Sequence, residues 1–461
     1  MTAKPNFRAK VDGMMMGARK IFRLAMLLSV FGLVACFGNS GSNAENGVTW
    51  DAATLVETNA TENASNPQVA IDSNGNAIAV WVQNDGTRDN IWANRYVDGL
   101  GWGSAEPIEM DDTGDAWFPQ VAVDDIGNAI AIWRQFDGSY WSVWANRYSL
   151  GAGWDMAELL EAGVSGDAWQ QQIAMDANGN AIVVWLEFDG ANNYVWSKRY
   201  VAGVGWTANE LVDPDPASFL AEPRVKIDKM GNAIVVWSRP DISGSYSDVW
   251  ANRYVIGVGW GSAELLDTND SGDAKQPQVG VDDIGNAVVL WQQWDGTTWS
   301  IWANHYSIGE GWKGAEFLGS AAADPQVAMV GDGDAVVVWT EFGDAQTTNI
   351  QVSRFVASTG WGALEYIEAT STDSLDPQIA VDGQGNAIAV WRQFDSVAGF
   401  ENVWVNRYDV NAGWGLPMSL QEPNTRGSNV QVTMNAAGDA MVVWAQAGIG
   451  VVDIWARYLK Q

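Results

Sequence analysis

An apolar run ending in tryptophan recurs eight times along the chain, at Trp81, Trp133, Trp185, Trp237, Trp291, Trp339, Trp391 and Trp444. The intervals are 52, 52, 52, 54, 48, 52 and 53 residues. A period this long and this regular restricts the chain to a repeat architecture, in which each unit buries its apolar faces against its neighbours. A second tryptophan follows at Trp92, Trp144, Trp196, Trp250, Trp302, Trp404 and Trp455, with Gln351 in its place in the sixth repeat. A third follows a glycine-rich turn at Trp102, Trp154, Trp206, Trp260, Trp312, Trp361 and Trp414. Each unit reads as four short strands, exemplified by residues 67–72 (A), 77–81 (B), 91–96 (C) and about 101–109 (D). The runs are rich in β-branched and aromatic residues and are punctuated by Gly, Asn and Asp. No segment beyond residue 48 shows a helical hydrophobic period. Four strands in each repeat of this length predict an all-β, eight-bladed β-propeller of four-stranded blades spanning 49–461.

The two ends supply a check on that count. The eighth unit holds strands A, B and C but reaches Gln461 before any strand D. The segment Gly47-Val48-Thr49-Trp50-Asp51 reads as the missing strand. An N-terminal strand that completes the last blade would close the ring and remove the edges a linear solenoid would expose.

Composition closes several functional classes. The 461 residues carry a formal net charge of -31, which opposes nucleic-acid binding through clustered Lys and Arg. One cysteine excludes an intramolecular disulfide, and one histidine, His305, speaks against His-rich zinc sites and histidine-based triads. No phosphate-binding loop or nucleophile elbow is present. No cofactor and no metal are expected.

Residues 1–35 read as a secretory leader. Lys4, Arg8, Lys10, Arg19, Lys20 and Arg23 precede the apolar run Leu24–Ala35, which is too short to span a bilayer. Leu33-Val34-Ala35-Cys36 resembles the bacterial lipobox. The resemblance implies cleavage before Cys36, acylation of its thiol and amine, and, with Phe37 following rather than Asp, sorting to the outer membrane. Residues 36–48 read as the lipidated cysteine and a flexible tether, at most about 40 Å long when extended. The expected product is a monomeric propeller held to the membrane by its lipid.

The A–B turns read Asp72-Ser73-Asn74-Gly75-Asn76, Asp124-Asp125-Ile126-Gly127-Asn128 and so on around the chain. Their Asp side chains suit backbone N–H acceptance inside the turn. A calcium role is disfavoured, because Ile126, Met230 and Ile284 stand where a ligand would be needed. The turn resembles the Asp-box of sialidase-type propellers but departs from it, since the tryptophan lies nine residues after the Asp. Most tryptophans are expected to pack between blades.

Five tryptophans fall outside that framework. Trp117 and Trp169 are expected in D–A connections, and Trp141, Trp294 and Trp299 in B–C connections. These two loop classes emerge on one face, where Asp115, Asp137, Asp167, Asp189 and Asp295 also lie. Aromatic plates beside carboxylates suit sugar rings, and they equally suit Arg and Lys of a protein partner. The alternative is that the aromatics fold over the blade ends as local core. A second constellation pairs strand C arginines with strand D glutamates eleven residues on, as in Arg95–Glu106, Arg147–Glu158 and Arg253–Glu264. Its plain reading is a cross-strand ion pair. It also resembles the inter-blade Arg, Glu and Trp sites of fucose-binding propeller lectins. The expectation is a lipid-anchored envelope propeller without catalytic activity, binding a protein partner or glycan through the D–A and B–C loops. A lectin using inter-blade sites is the alternative, and a glycoside hydrolase or lyase is the second. Catalysis is set last because no acid stands apart from the repeat pattern.

Overall fold

The computed structural model describes residues 49–461, apart from 59–61, 110–113, 162–165, 218–219, 242–243, 268–271, 344–346, 369–371, 422–424 and 449. The leader, Cys36 and the tether lie outside the described residues. What is described is an eight-bladed propeller. Blade 1 is built from strand A (Ala64–Ile71), strand B (Ala77–Asn84), strand C (Asp89–Val97) and a broken strand D (Gly101–Trp102 and Glu106–Pro107), all antiparallel in the order A-B-C-D. Both halves of D pair with C, with Tyr96 opposite Trp102 and Trp92 opposite Pro107. The other blades repeat this plan.

The ring closes as the two ends of the sequence imply, with the donated strand a few residues later than expected. Thr54–Leu55 pairs with the last strand, Val452–Leu459, and Trp50 bridges to Leu459. The sheet order places this N-terminal strand outermost in blade 8, where strand D sits elsewhere. Glu57 then accepts the Ile454 N–H at 2.6 Å, and Asn63 accepts the Val452 N–H at 3.0 Å. Lys460 pairs with Asp98 of blade 1.

Strand B is buried along almost its whole length in every blade, as a strand covered on both faces must be. The eight strand B tryptophans are fully buried. Each apolar cluster draws on two adjacent blades, as when Trp133 of blade 2 packs on Ile78, Val80 and Ile91 of blade 1. The core is therefore a ring of inter-blade layers. Burying an indole demands a partner for its N–H. In blades 1, 2, 5, 7 and 8 that partner is the glutamine two residues on, as with Trp81 Nε1 to Gln83 Oε1 at 3.1 Å. In blade 6 the residue at that position, Glu341, accepts instead from Asn349. There Gln351 replaces the usual strand C tryptophan and takes the Trp339 N–H at 3.1 Å. The irregularity of the sixth repeat is thus a relocated acceptor.

The A–B turns of blades 1 to 5 and 7 behave as read, whereas blade 6 has Val330 at the acceptor position. Asp72 Oδ1 accepts the N–H groups of Asn74 and Asn76 at 2.8 and 2.9 Å, and Oδ2 accepts from the Asn76 amide at 2.8 Å. Blade 8 exchanges the two residue types, with Asn435 accepting from the Ala437 and Asp439 N–H groups.

Candidate functional site

Strand A is the innermost strand, and the eight copies line an axial channel of about 560 Å³. One end of the channel opens where strand A begins and strand B ends, on the face of the D–A and B–C connections. A sharp local feature sits there. In every blade the register of A against B slips near its start, and the residue two before the ladder resumes has a positive φ. The eight residues are Asn66, Phe118, Gln170, Glu222, Gln276, Asp324, Asp376 and Asn429, with φ between 51° and 59°. Non-glycine residues in this region are strained, and such strain concentrates where function requires a fixed side-chain direction.

This ring is where the repeat stops being a repeat. The following position is Pro in most blades, and the one after it is Gln in all blades but one, whereas the ring residue itself changes from blade to blade. Glu222, Asp324 and Asp376 occupy it in blades 4, 6 and 7. With Arg224, Arg392, Gln276 and Gln278 they line a mouth pocket of about 520 Å³ that shares Arg224 and several ring glutamines with the channel.

The carboxylates are not equivalent. Asp376 accepts from Arg392 Nε at 2.7 Å and forms an ion pair with it. Asp324, in the adjacent blade, lacks such a partner. Burial, and then the charge of Asp376, push its carboxyl above the usual range, against the weaker pull of Arg392 and Lys275. Glu222 accepts the backbone N–H of Gln276, and its own N–H donates to Gln170 Oε1 at 2.6 Å. Across blades 3, 4 and 5 the ring is therefore linked by its own side chains.

The residues singled out from sequence fall at the expected end of the propeller but not in the expected roles. The five tryptophans lie within strands rather than loops: Trp117 and Trp169 in strand A, Trp294 at the end of strand B, Trp141 and Trp299 at the start of strand C. All are half-buried. Trp117 and Trp141 stack at 4.8 Å, and Arg134 lies 4.3 Å from the Trp141 ring centre. Trp294 meets Trp299 at 5.3 Å, and Lys275 Nζ sits 3.7 Å from the Trp299 centre. Trp117 also donates to Asp89 at 2.9 Å.

The five aspartates are engaged by backbone. Asp137, Asp189 and Asp295 each accept two successive N–H groups of their own B–C turn at 2.7–2.8 Å. Asp115 and Asp167 accept the N–H groups of Asp89 and Trp141, which start strand C of the preceding blade, at 3.2 and 2.9 Å. They tie blades together, and no single site gathers them with the tryptophans.

The strand C and strand D pairs also differ from expectation. Register places Glu106 opposite Ala93, two residues from Arg95, and Glu158 opposite Ala145. Among the described residues no ion pair joins these arginines to these glutamates. Arg147 bonds Asp155 at 2.8 Å and the Tyr200 hydroxyl of the next blade at 2.6 Å. Arg253 lies over Tyr306 in the same way. Arg253, Glu264 and the next blade's Trp312 do line a cleft of about 180 Å³. The guanidinium is drawn to the neighbouring tyrosine because the exposed glutamate offers only a screened charge.

The signal for the mouth ring was in the sequence, in the one position before Pro-Gln that varies while its flanks do not. Reading the repeat for its constant residues passed over it. Among the described residues no cluster of His, Cys, Asp and Glu suited to a metal ion occurs, and no helix is long and apolar enough to cross a membrane.

No protein-family model matches the chain, and no curated protein matches it. Solved structures do. The chain is similar to the Dos1 propeller at 7% identity and a TM-score of 0.52, over 89% of this chain and 94% of that one. It is also similar to the Penicillium chrysogenum alpha-L-arabinanase at 12% identity and 0.42, over 79% and 99%. A Hadza microbial sialidase matches at 12% identity and 0.39, over 71% and 73%. The last two are, by name, an arabinanase and a sialidase, whereas the expectation from sequence is a propeller without catalytic activity. That expectation rested on no acid standing apart from the repeat, and Glu222, Asp324 and Asp376 do stand apart. It is withdrawn. At these identities the likeness itself establishes one thing, that the chain has the β-propeller fold.

Proposed function

We propose that the protein is a carbohydrate-active enzyme that cleaves glycosidic bonds at the axial mouth. The observation that carries this reading is the unequal pair Asp324 and Asp376, set at matching positions of adjacent blades. A buried carboxyl group beside an ion-paired carboxylate is the usual equipment for acid and base roles in glycoside cleavage. Asp324, whose proton affinity burial and its neighbour's charge raise, supplies a proton to the leaving oxygen. Asp376, paired with Arg392, is the anionic partner that stabilises developing positive charge on the sugar or directs water. Glu222 faces the same pocket from blade 4. The ring amides, Gln276 and Gln278 among them, both donate and accept, which suits sugar hydroxyls.

The test is reducing-sugar release from a panel of plant, host and bacterial polysaccharides. Asp324→Asn and Asp376→Asn should each lower turnover by about 10²–10⁴-fold. Asn66→Gln, at the same ring position of blade 1 and outside the mouth pocket, should leave it near wild type. Equal effects of all three variants, or no release from any polymer by the wild type, would refute the assignment. Activity that needs protonated Asp324 should fall as pH rises through its elevated pKa. We propose further that acylation of Cys36, which the lipobox resemblance implies, holds this enzyme at the outer membrane, and metabolic labelling with palmitate tests the acylation. Cys36→Ala should abolish the label, and an unlabelled wild type would overturn it.

A further inference from the structure

Below the mouth, the channel wall is almost uniform. One inward position of strand A carries Gln in seven blades, including Gln68, Gln326 and Gln378, and Arg224 in blade 4. The next inward position, two residues on, carries Ala, Gly or Thr in seven blades and Lys226 in blade 4. The equivalence is fixed by register, since Gln68 and Ala70 pair with Val80 and Ile78 as Arg224 and Lys226 pair with Val236 and Ile234. The two departures are thus consecutive inward positions on one strand, both are cationic, and among the described residues they are the only charged ones lining the channel. Among the described residues neither forms an ion pair. Arg224 Nη1 donates to the carbonyl of Pro223 at 3.2 Å. Along the strand, Glu222 exerts its charge on Arg224 while accepting the backbone N–H of Gln276, and Asp228, just past the strand, is consumed by the A–B turn, accepting from Met230 and Asn232 at 2.8–2.9 Å.

Two like charges about 7 Å apart on one strand repel each other, with Arg224 half-buried and Lys226 exposed. Both side chains are accordingly pushed toward lower proton affinity, by the surrounding protein first and, for Lys226, by Arg224 as well. The carboxylates of Glu222, Asp324 and Asp376 line the mouth with Arg224, but among the described residues none lines the channel beside Lys226 and none is ion-paired with either cation. The unmet charge, together with amide donors around the same ring, matches an oxyanion.

We propose that the axial channel is an oxyanion-binding site centred on Arg224 and Lys226, and that it takes the carboxylate of an acidic sugar whose ring occupies the mouth. The sugar part of this inference rests on the carbohydrate reading above, while the oxyanion part stands on the channel alone. Arg224 lines both the mouth and the channel, so it is the group that connects the two. A neutral sugar would leave the cations unpaired, whereas a uronic-acid-type unit would place its carboxylate on them and its glycosidic oxygen nearer Asp324.

The test is calorimetric titration of the full chain with D-galacturonate, D-galactose and inorganic phosphate, repeated on Arg224→Gln/Lys226→Ala. These replacements are residues that other blades carry at the same positions, so the fold has seven precedents for one and five for the other; circular dichroism and an unchanged melting transition verify it. The expected result is galacturonate binding at least tenfold tighter than galactose, competition by phosphate, and loss of that preference in the double variant. Equal affinity for the two sugars in the wild type, or a preference that survives the double substitution, overturns the inference while leaving the carbohydrate reading intact. Phosphate binding that the double variant loses, with no sugar bound, supports the oxyanion site and overturns the acidic-sugar assignment together with the carbohydrate reading. Absence of binding by all three probes overturns the site.

Discussion

Glu57 sits at the joint between the last blade and the first, and its protonation should control the stability of that joint. It is 3% exposed. One carboxyl oxygen accepts the Ile454 N–H at 2.6 Å and the other accepts from Gln83 Nε2 at 2.7 Å. Burial outweighs these bonds and raises its pKa from 4.5 to about 7. The folded protein therefore holds a proton that the unfolded chain releases between those values. Stability is unaffected below pH 4.5, falls as pH rises from 4.5 to 7, and stays reduced above 7. A gap of that width corresponds to about 3 kcal/mol. Glu57→Gln removes the titration and keeps the shape, and the fold already contains the precedent. Gln421, at the matching position of blade 7, accepts the Val403 N–H at 2.6 Å and donates to Gln446 at 3.0 Å. The assay is thermal denaturation of wild type and variant at pH 4 and pH 8. For a domain of this size, about 3 kcal/mol displaces the midpoint by roughly 3–4 °C. The two proteins should melt together at pH 4, and the variant should melt higher by that amount at pH 8. A difference of the same size at both pH values would refute the reasoning, because a group that does not titrate cannot produce a pH-dependent gap.

Other substitutions test the packing and turn arguments. Gln351→Trp restores the residue the other blades carry but strips Trp339 of its acceptor, and should destabilise the protein by about 1–3 kcal/mol in urea titration. Gly127→Ala forces a Cβ onto a residue with φ +92° and within 2.8 Å of Asp72 Oδ2 of the preceding blade, so it should lower the melting midpoint measurably. Gly138→Ala, equally left-handed but with open space around it, should cost less, and equal losses would show that the inter-blade approach is unimportant. Arg239→Met leaves Asp213, fully buried and bonded to it at 2.7 Å, without its partner, and should cost about 3–5 kcal/mol.

The architecture was legible because its physics is periodic. Buried strand B, the eight tryptophans and the turn aspartates recur at fixed intervals, and the missing eighth strand D pointed to the N-terminus. The site was less legible for the same reason. Asp115 and Asp167 look free in sequence, and the backbone groups they accept from lie 26 residues away in the preceding blade. Trp117 and Trp169 read as loop aromatics because the slip of register at residue 118 or 170 hides the start of strand A. The arginine and glutamate spacing was real, but a constant separation gave no hint that the guanidinium prefers the tyrosine of the next blade. The mouth ring needed a different question, namely which position varies when its neighbours do not.

The most direct test of that ring is a crystal structure of Asp324→Asn soaked with an oligosaccharide that the wild type cleaves. The account predicts density at the axial mouth, with the scissile linkage between positions 324 and 376 and a ring toward Arg224. Density confined to the inter-blade clefts beside Arg253, Glu264 and Trp312, with the mouth holding solvent, would contradict it.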